Sequence, residues 1–334
     1  MKNTAGSINY NPNGRGVPAV FSGEGMPNML TGRFAPSPSG RMHLGNVFSA
    51  LLAWLSVRSR NGRMLLRIED LDPDRCRPDY IETLKRDLDW LGLDWDEEQT
   101  PQSMRADDYH AEFERLRALG LVYPCYCSRA ELHAASAPHA SDGNVIYAGT
   151  CRSLTEAERA AKIRKPAWRV IVPDTVITVQ DGLQGAYSEN LARDCGDFII
   201  RRSDGVYAYQ LAVVTDDAAG GVTEVIRGRD LLSSVPRQMW LQKTLGFPTP
   251  AYYHVPLLLA PDGRRLSKRE KSLDLGALRE RCTPEQLVGT LAFLAGLQPE
   301  PAPAAPAALV SGFAWKNVRS DNVVIHSEFG CDIS

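Results

Sequence analysis

Apolar residues fall at Leu44, Val47, Phe48, Leu51, Leu52 and Leu55, a spacing of i, i+3, i+4, i+7, i+8 and i+11. That recurrence predicts a helix with one apolar face. Just before it, "GRFAP" reads as a short strand that ends at Pro36 and runs on as the stiff track "SPSG". "GRMLLRIED" follows as a second strand, weighted by Leu65, Leu66 and Ile68. A second helical pattern opens near Pro78 and is closed by Gly92. Strand, helix, strand, helix predicts an α/β fold with a Rossmann-type, doubly wound parallel sheet.

Beyond "YPCYCSRAEL" the texture changes. "HAASAPHASDGNVIY" is small, polar and turn-rich, so it reads as a loop. "AWRVIVP", "VITVQDGLQGAYS" and "DFIIRRSDGVYAYQLAVV" read as β-rich hairpins with Asp-Gly turns. "VTEVIRGRDLLSSVPRQMWLQKTLG" returns to a strand and a helix, and "YYHVPLLLAPDGRRLSKREKS" is a strand, a turn and a basic loop. The expected organisation is one α/β domain in two halves, residues 31–120 and 206–297, around an insertion at 121–205. "PEPAPAAPAA" reads as a stiff spacer within a short tail, 298–334. Residues 1–30 read as a disordered extension, with Met26 an alternative start.

Composition narrows the classes. Hydrophobic residues make up 43% and charged residues 23%, the mixture of an ordinary globular protein. No apolar run is long enough to span a bilayer. The formal net charge of −2 provides no overall basic field, so a nucleic-acid partner must be held by a local patch. Seven cysteines, with no export signal before them, point to reduced thiols or to metal in the cytosol.

Three stretches carry chemistry. His43 and Gly45 stand where the first helix begins, and a helix start offers amide N–H groups and partial positive charge to phosphate. "RRLSKREK" is a basic loop in which Lys268 and Ser267 can meet charge building on a transferring group. Cys125, Cys127 and Cys151 suggest a structural zinc site that needs a fourth ligand, and His133, His139 and Tyr147 all lie between them. Chemistry alone favours a histidine there.

"HLGN" and the distant "RLSKR" together resemble the two signature motifs of class I aminoacyl-tRNA synthetases. "RFAPSPSGRMHLGN", "LLRIEDLDPDR", "YAYQLAVVTDD" and "EVIRGRDLL" resemble the glutamyl branch of that family, over about residues 31–275. The resemblance implies ATP at His43, Gly45, Asn46, Ser267 and Lys268, Mg²⁺ arriving with it, and catalysis by His43 and Lys268. It implies a glutamate site lined by Arg33, Ala35, Pro36, Ser37, Glu69, Tyr209 and Arg227. The residue types suit a dicarboxylic amino acid, since arginines pair with carboxylates and Glu69 with an ammonium group. The resemblance further implies zinc on Cys125, Cys127, Tyr147 and Cys151, with His139 the alternative ligand. Only some 65 residues follow Arg269, too few for a large helical anticodon-binding region. The zinc pattern and that shortness together resemble the family's glutamyl-Q branch. This resemblance implies a cytoplasmic monomer that activates L-glutamate without tRNA and moves it to queuosine in the anticodon of tRNA(Asp). The alternatives are a truncated or discriminating glutamyl-tRNA synthetase charging the 3′ end of tRNA(Glu), a nucleotidyltransferase of related fold, and a non-catalytic paralogue that binds a partner protein.

Overall fold

The chain enters the core through β1 (Thr31–Phe34), a strand buried at all four positions. α1 (Leu44–Arg58) then leads to β2 (Arg63–Leu66), α2 (Pro78–Trp90) and β3 (Glu97–Glu98). These three strands form a parallel sheet in the order β1-β2-β3, with Thr31 opposite Arg63 and Leu65 opposite Glu97. The expected alternation is therefore present. The computed structural model describes residues 29–128, 130–131, 146–264, 266 and 273–325. The extension expected at the N-terminus, His133, His139, Ser267 and Lys268 lie outside the described residues.

After α3 (Ala106–Ala118), β4 (Val122–Cys125) opens the inserted region. It pairs antiparallel with β5 (Ala167–Val170), and β5 with the later β8. Between them β6 (Val176–Asp181) and β7 (Gly185–Asn190) form the expected hairpin. β8 spans Phe198–Arg201. The stretch after it departs from expectation: "YQLAVVTDDAA" is a helix, α4 (Tyr209–Ala219), not a hairpin strand. Its residues Leu211 to Asp217 are all buried, so its apolar run lacks the polar face that would reveal a helical period.

The sheet resumes with β9 (Glu224–Gly228), α5 (Val235–Leu245) and β10 (Ala251–Val255), β9 and β10 pairing in parallel. β9 lies beside β1, where the Thr223 N–H donates to Thr31 O at 2.9 Å. β1 and β9 thus sit at the middle of the parallel layer, where the winding reverses and where ligands of such sheets collect. β11 (Leu258–Leu259) follows, then α6 (Pro284–Ala295), whose Thr283 cap accepts from the Gln286 N–H.

The tail is not a free spacer. Residues 302–325 fold back over α1, burying Val318 and Ile325 in the main core. β12 (Val323–Val324) pairs in parallel with β11. Trp315 stacks on Tyr253 with ring centroids 4.3 Å apart and donates its indole N–H to Ser56 Oγ at 2.9 Å. α1 buries Trp54, Ser56 and Val57 as well as the single face its periodicity predicts, Ser56 in contact with the tail through Trp315. Trp315→Ala should lower stability by about 2 kcal/mol, through lost apolar burial and the lost indole hydrogen bond to Ser56. Urea unfolding with an unshifted midpoint would contradict that docking.

Candidate active site

The approach to α1 is fixed by backbone pairing that prolines allow. Phe34 O accepts from the Arg67 N–H at 2.8 Å, Pro36 O from Glu69 at 3.0 Å and Pro38 O from Arg77 at 3.2 Å. Pro36 and Pro38 have no N–H to leave unpaired, and their carbonyls hold the track. It delivers His43 as the residue preceding α1, where Asn46 Oδ1 accepts from the His43 N–H at 3.3 Å. A Cβ on Gly45 would lie 3.2 Å from the His43 imidazole, so glycine leaves the ring room over the helix start.

A cleft of about 470 Å³ opens at the C-terminal ends of β1 and β9. His43, Gly45 and Asn46 line one part of it; Arg33, Ala35, Pro36, Ser37, Glu69, Tyr209 and Arg227 line the other. All ten of these expected site residues thus share one cavity. Within the basic stretch Leu266 lines the cleft, and just after that stretch Asp274 bridges to His43 through backbone pairing. The Leu275 N–H donates to Met42 O at 2.9 Å.

Beneath the cleft lies a charge cluster that the sequence did not announce. Arg67 has no solvent exposure. Its guanidinium meets Asp217 at 2.6 Å, Glu69 at 3.0 Å and Asp216 at 3.8 Å. Asp217 also receives Arg33 Nε at 3.4 Å, while Asp216 receives Arg105 at 2.6 Å and Gln102 Nε2 at 2.7 Å. Burial would raise the Asp217 pKa, but Arg67 and Arg33 outweigh it and hold this carboxyl below the ordinary range. For Glu69 burial wins over the same two arginines, and its pKa is raised. In and beneath the cleft five arginines, Arg33, Arg41, Arg67, Arg105 and Arg227, outnumber four carboxylates, Glu69, Asp216, Asp217 and Asp230, so an anionic ligand group is favoured there.

Arg227 is oriented from several sides. Its Nη1 donates to Tyr209 Oη at 3.2 Å, its Nη2 to Gln238 Oε1 at 2.9 Å, and its Nε to His254 Nε2 at 3.0 Å. Arg67, Asp216, Asp217, Gln238 and His254 were missed by sequence reasoning. The two aspartates stand in the quoted "YAYQLAVVTDD" and Arg67 in "LLRIED", but no local pattern says that they meet.

In the inserted region Cys125, Cys127 and Cys151 converge, their sulfur atoms all within 4.8 Å of one another. Tyr147 Oη lies 3.5 Å from Cys125 Sγ and 3.7 Å from Cys127 Sγ, and Cys127 Sγ lies 3.6 Å from Cys151 Sγ. Tetrahedral zinc with bonds of about 2.3 Å to sulfur would place its ligands roughly 3.8 Å apart, so this donor set fits that ion. The Tyr126 N–H donates to Cys151 Sγ, the Arg169 Nε–H to Cys125 Sγ, and the Cys151 N–H to Tyr147 Oη. Such donors suit anionic ligands. Gly196 (φ +70°) lets the Tyr147 backbone approach, since a Cβ there would meet Tyr147 N and O at 2.9 Å.

Residues 29–303 match the family described as class I tRNA synthetases (E and Q), catalytic domain. The glutamyl-Q tRNA(Asp) synthetase of Nitratidesulfovibrio vulgaris is 51% identical over 291 residues, covering 83% of this chain and 90% of that protein. This chain belongs to the glutamyl-Q tRNA(Asp) synthetase family. The relative of that name from Symbiobacterium thermophilum is 48% identical and covers 90% of this chain and 97% of its own length. Among solved structures, the glutamate tRNA ligase of Elizabethkingia meningosepticum, in complex with its amino acid, superposes with a TM-score of 0.75 at 26% identity. That match covers 88% of this chain and 66% of the ligase. The glutamate-tRNA synthetase of Elizabethkingia anophelis gives 0.77 at 26%, covering 90% of this chain and 68% of its own. This chain thus spans about two thirds of the solved glutamate enzymes. Among the described residues no helix is long and apolar enough to cross a membrane.

Asp217→Asn leaves Arg67 and Arg33 without their shared carboxylate and should cost about 3–5 kcal/mol at pH 7. A carboxyl held below its unfolded value of about 3.9 stabilises the fold above that pH. That share is lost as pH falls through the lowered folded value. Chemical unfolding at pH 7 and pH 3 should therefore show a smaller acid loss in the variant than in the parent. Equal acid losses would contradict the assignment.

Proposed function

We propose that this protein activates L-glutamate with ATP, without tRNA, and transfers the glutamyl group to queuosine in the anticodon of tRNA(Asp). The observation that carries the reading is the meeting of an arginine-rich, carboxylate-framed cleft with a helix start, in a chain 44–51% identical to glutamyl-Q tRNA(Asp) synthetases. Arg33 and Arg227 receive the amino acid's carboxylates, and Glu69 its ammonium group. Tyr209, Ala35, Pro36 and Ser37 close the pocket around it. Neutral glutamine would leave a buried arginine unpaired, which favours glutamate.

In the first step an oxygen of the glutamate α-carboxylate attacks the α-phosphorus of ATP in line, and the bond to pyrophosphate breaks. The nucleophile is already ionised, so positioning and charge neutralisation do the catalysis. His43, Gly45 and Asn46 bind nucleotide at the start of α1, and Ser267 and Lys268 meet the triphosphate from the basic loop. Mg²⁺ bound with ATP supplies further neutralisation of phosphate charge. In the second step a hydroxyl of the acceptor nucleoside attacks the glutamyl carbonyl carbon, its proton is lost to solvent, and AMP leaves. Cys125, Cys127, Tyr147 and Cys151 hold a structural zinc ion that ties the inserted region, 121–205, together. The protein works in the cytoplasm as a monomer, where ATP and tRNA are at hand.

Radiolabelled glutamate, ATP and the full chain should label tRNA(Asp) that carries queuosine and leave queuosine-free tRNA(Asp) and tRNA(Glu) unlabelled. Lys268→Ala should cut this labelling and glutamate-dependent pyrophosphate exchange by at least about 100-fold. Labelling at the 3′ end of tRNA(Glu) would replace the proposal with the charging reaction.

A further inference from the structure

Arg227 has a supporting pair that never reaches the cleft. His254 stands opposite it in the parallel register of β9 and β10, and the imidazole has no solvent exposure. Arginine can only donate, so the 3.0 Å contact from Arg227 Nε makes His254 Nε2 the acceptor. The ring proton then sits on Nδ1 and is donated to Asp181 Oδ2 at 2.5 Å. The other oxygen, Asp181 Oδ1, accepts from three backbone N–H groups: Leu183 at 3.0 Å, Gln184 at 2.8 Å and His254 itself at 3.2 Å. The turn between β6 and β7 thereby fixes which way the carboxylate faces.

From this geometry we infer that His254, held in one tautomer by Asp181, is a positioning residue that sets the orientation of Arg227 and through it the affinity for the amino acid. The inference rests on the glutamate reading of the cleft. Its logic is one of donors and acceptors. With the proton on Nδ1, the ring offers Arg227 a lone pair. With the proton on Nε2, two donors would face each other at hydrogen-bond distance in a dry interior, and the guanidinium would have to turn away. Burial, together with the Arg227 and Arg33 charges, holds the ring neutral against the pull of Asp181. The β6–β7 hairpin, which carries no cleft-lining residue among those proposed to bind glutamate, thus gains a part in substrate binding.

Asp181→Asn separates this role from a merely structural one. Three backbone N–H groups keep the amide oxygen where Oδ1 stands, so the amide NH₂ must face His254 Nδ1. That forces the ring proton onto Nε2, against Arg227, with almost no change in shape. In glutamate-dependent ATP–pyrophosphate exchange, the folded variant should show a glutamate KM raised about 10–100-fold, the usual scale for a lost hydrogen bond to a charged group. Its KM for ATP should stay as in the parent. An unchanged glutamate KM, or equal losses for glutamate and ATP, would overturn the inference. A second measurement needs neither the variant nor turnover. In ¹⁵N-histidine NMR of the parent chain at pH 7, the resonances lost in His254→Gln should report a neutral ring protonated on Nδ1. A ring protonated on Nε2 or doubly protonated would overturn the inference. If the parent shows no glutamate-dependent exchange, the activity reading falls, while the NMR result still decides the tautomer.

Discussion

A guanidinium without solvent must be surrounded by anions, and the active end of this protein is organised around that requirement. Arg67 stands on the segment just after β2, fully buried, with Asp217 and Asp216 reaching it from α4 and Glu69 from two residues further along its own segment. Removing one partner from such a cluster is far more costly than forming a surface ion pair is favourable. The cluster therefore locks α4, which follows the inserted region, to the strand pair that precedes it. The same carboxylates constrain Arg33, so the floor of the cleft and the joint between the two halves of the sheet are one structure.

The consequence is a cleft whose charge is set before any ligand arrives. Arg33 and Arg227 are held by protein groups on one side and line the cavity on the other. Preorganised donors lose little on binding and discriminate by charge rather than by shape. The helix start of α1 lies in the same cavity, with Leu266 in its lining and Asp274 paired to His43. Under the proposed function, amino acid and nucleotide meet within one space, as in-line attack on a phosphorus atom requires.

Much of the site was legible in the chain. Each stretch that supplies it has a local signature: prolines before a helix start, "IED" at a strand end, an arginine after "EVI". What was not legible is what depends on long-range meeting. Asp216 and Asp217 lie about 150 residues from Arg67, and nothing near them marks their burial. α4 reads as a strand because burial of Leu211 to Asp217 erases its period. His254 and Asp181 met only because β10 and the β6–β7 hairpin pack together. The Pro/Ala stretch reads as a spacer by composition, yet Pro306, Trp315, Val318 and Ile325 dock it over α1. Three cysteines predicted their own convergence; Tyr147, the ligand the resemblance implies, lies beside them, and His133 and His139 lie outside the described residues.

The central claim is that buried arginine–carboxylate pairing gives this cleft an excess of positive charge selective for a second carboxylate. Calorimetric titration of the full chain with L-glutamate and with L-glutamine, in the same buffer at pH 7 and without tRNA, tests it most directly. The account predicts saturable binding of glutamate at least about 100-fold tighter than of glutamine, as expected when a buried guanidinium is left unpaired. Equal affinities for the two would contradict it.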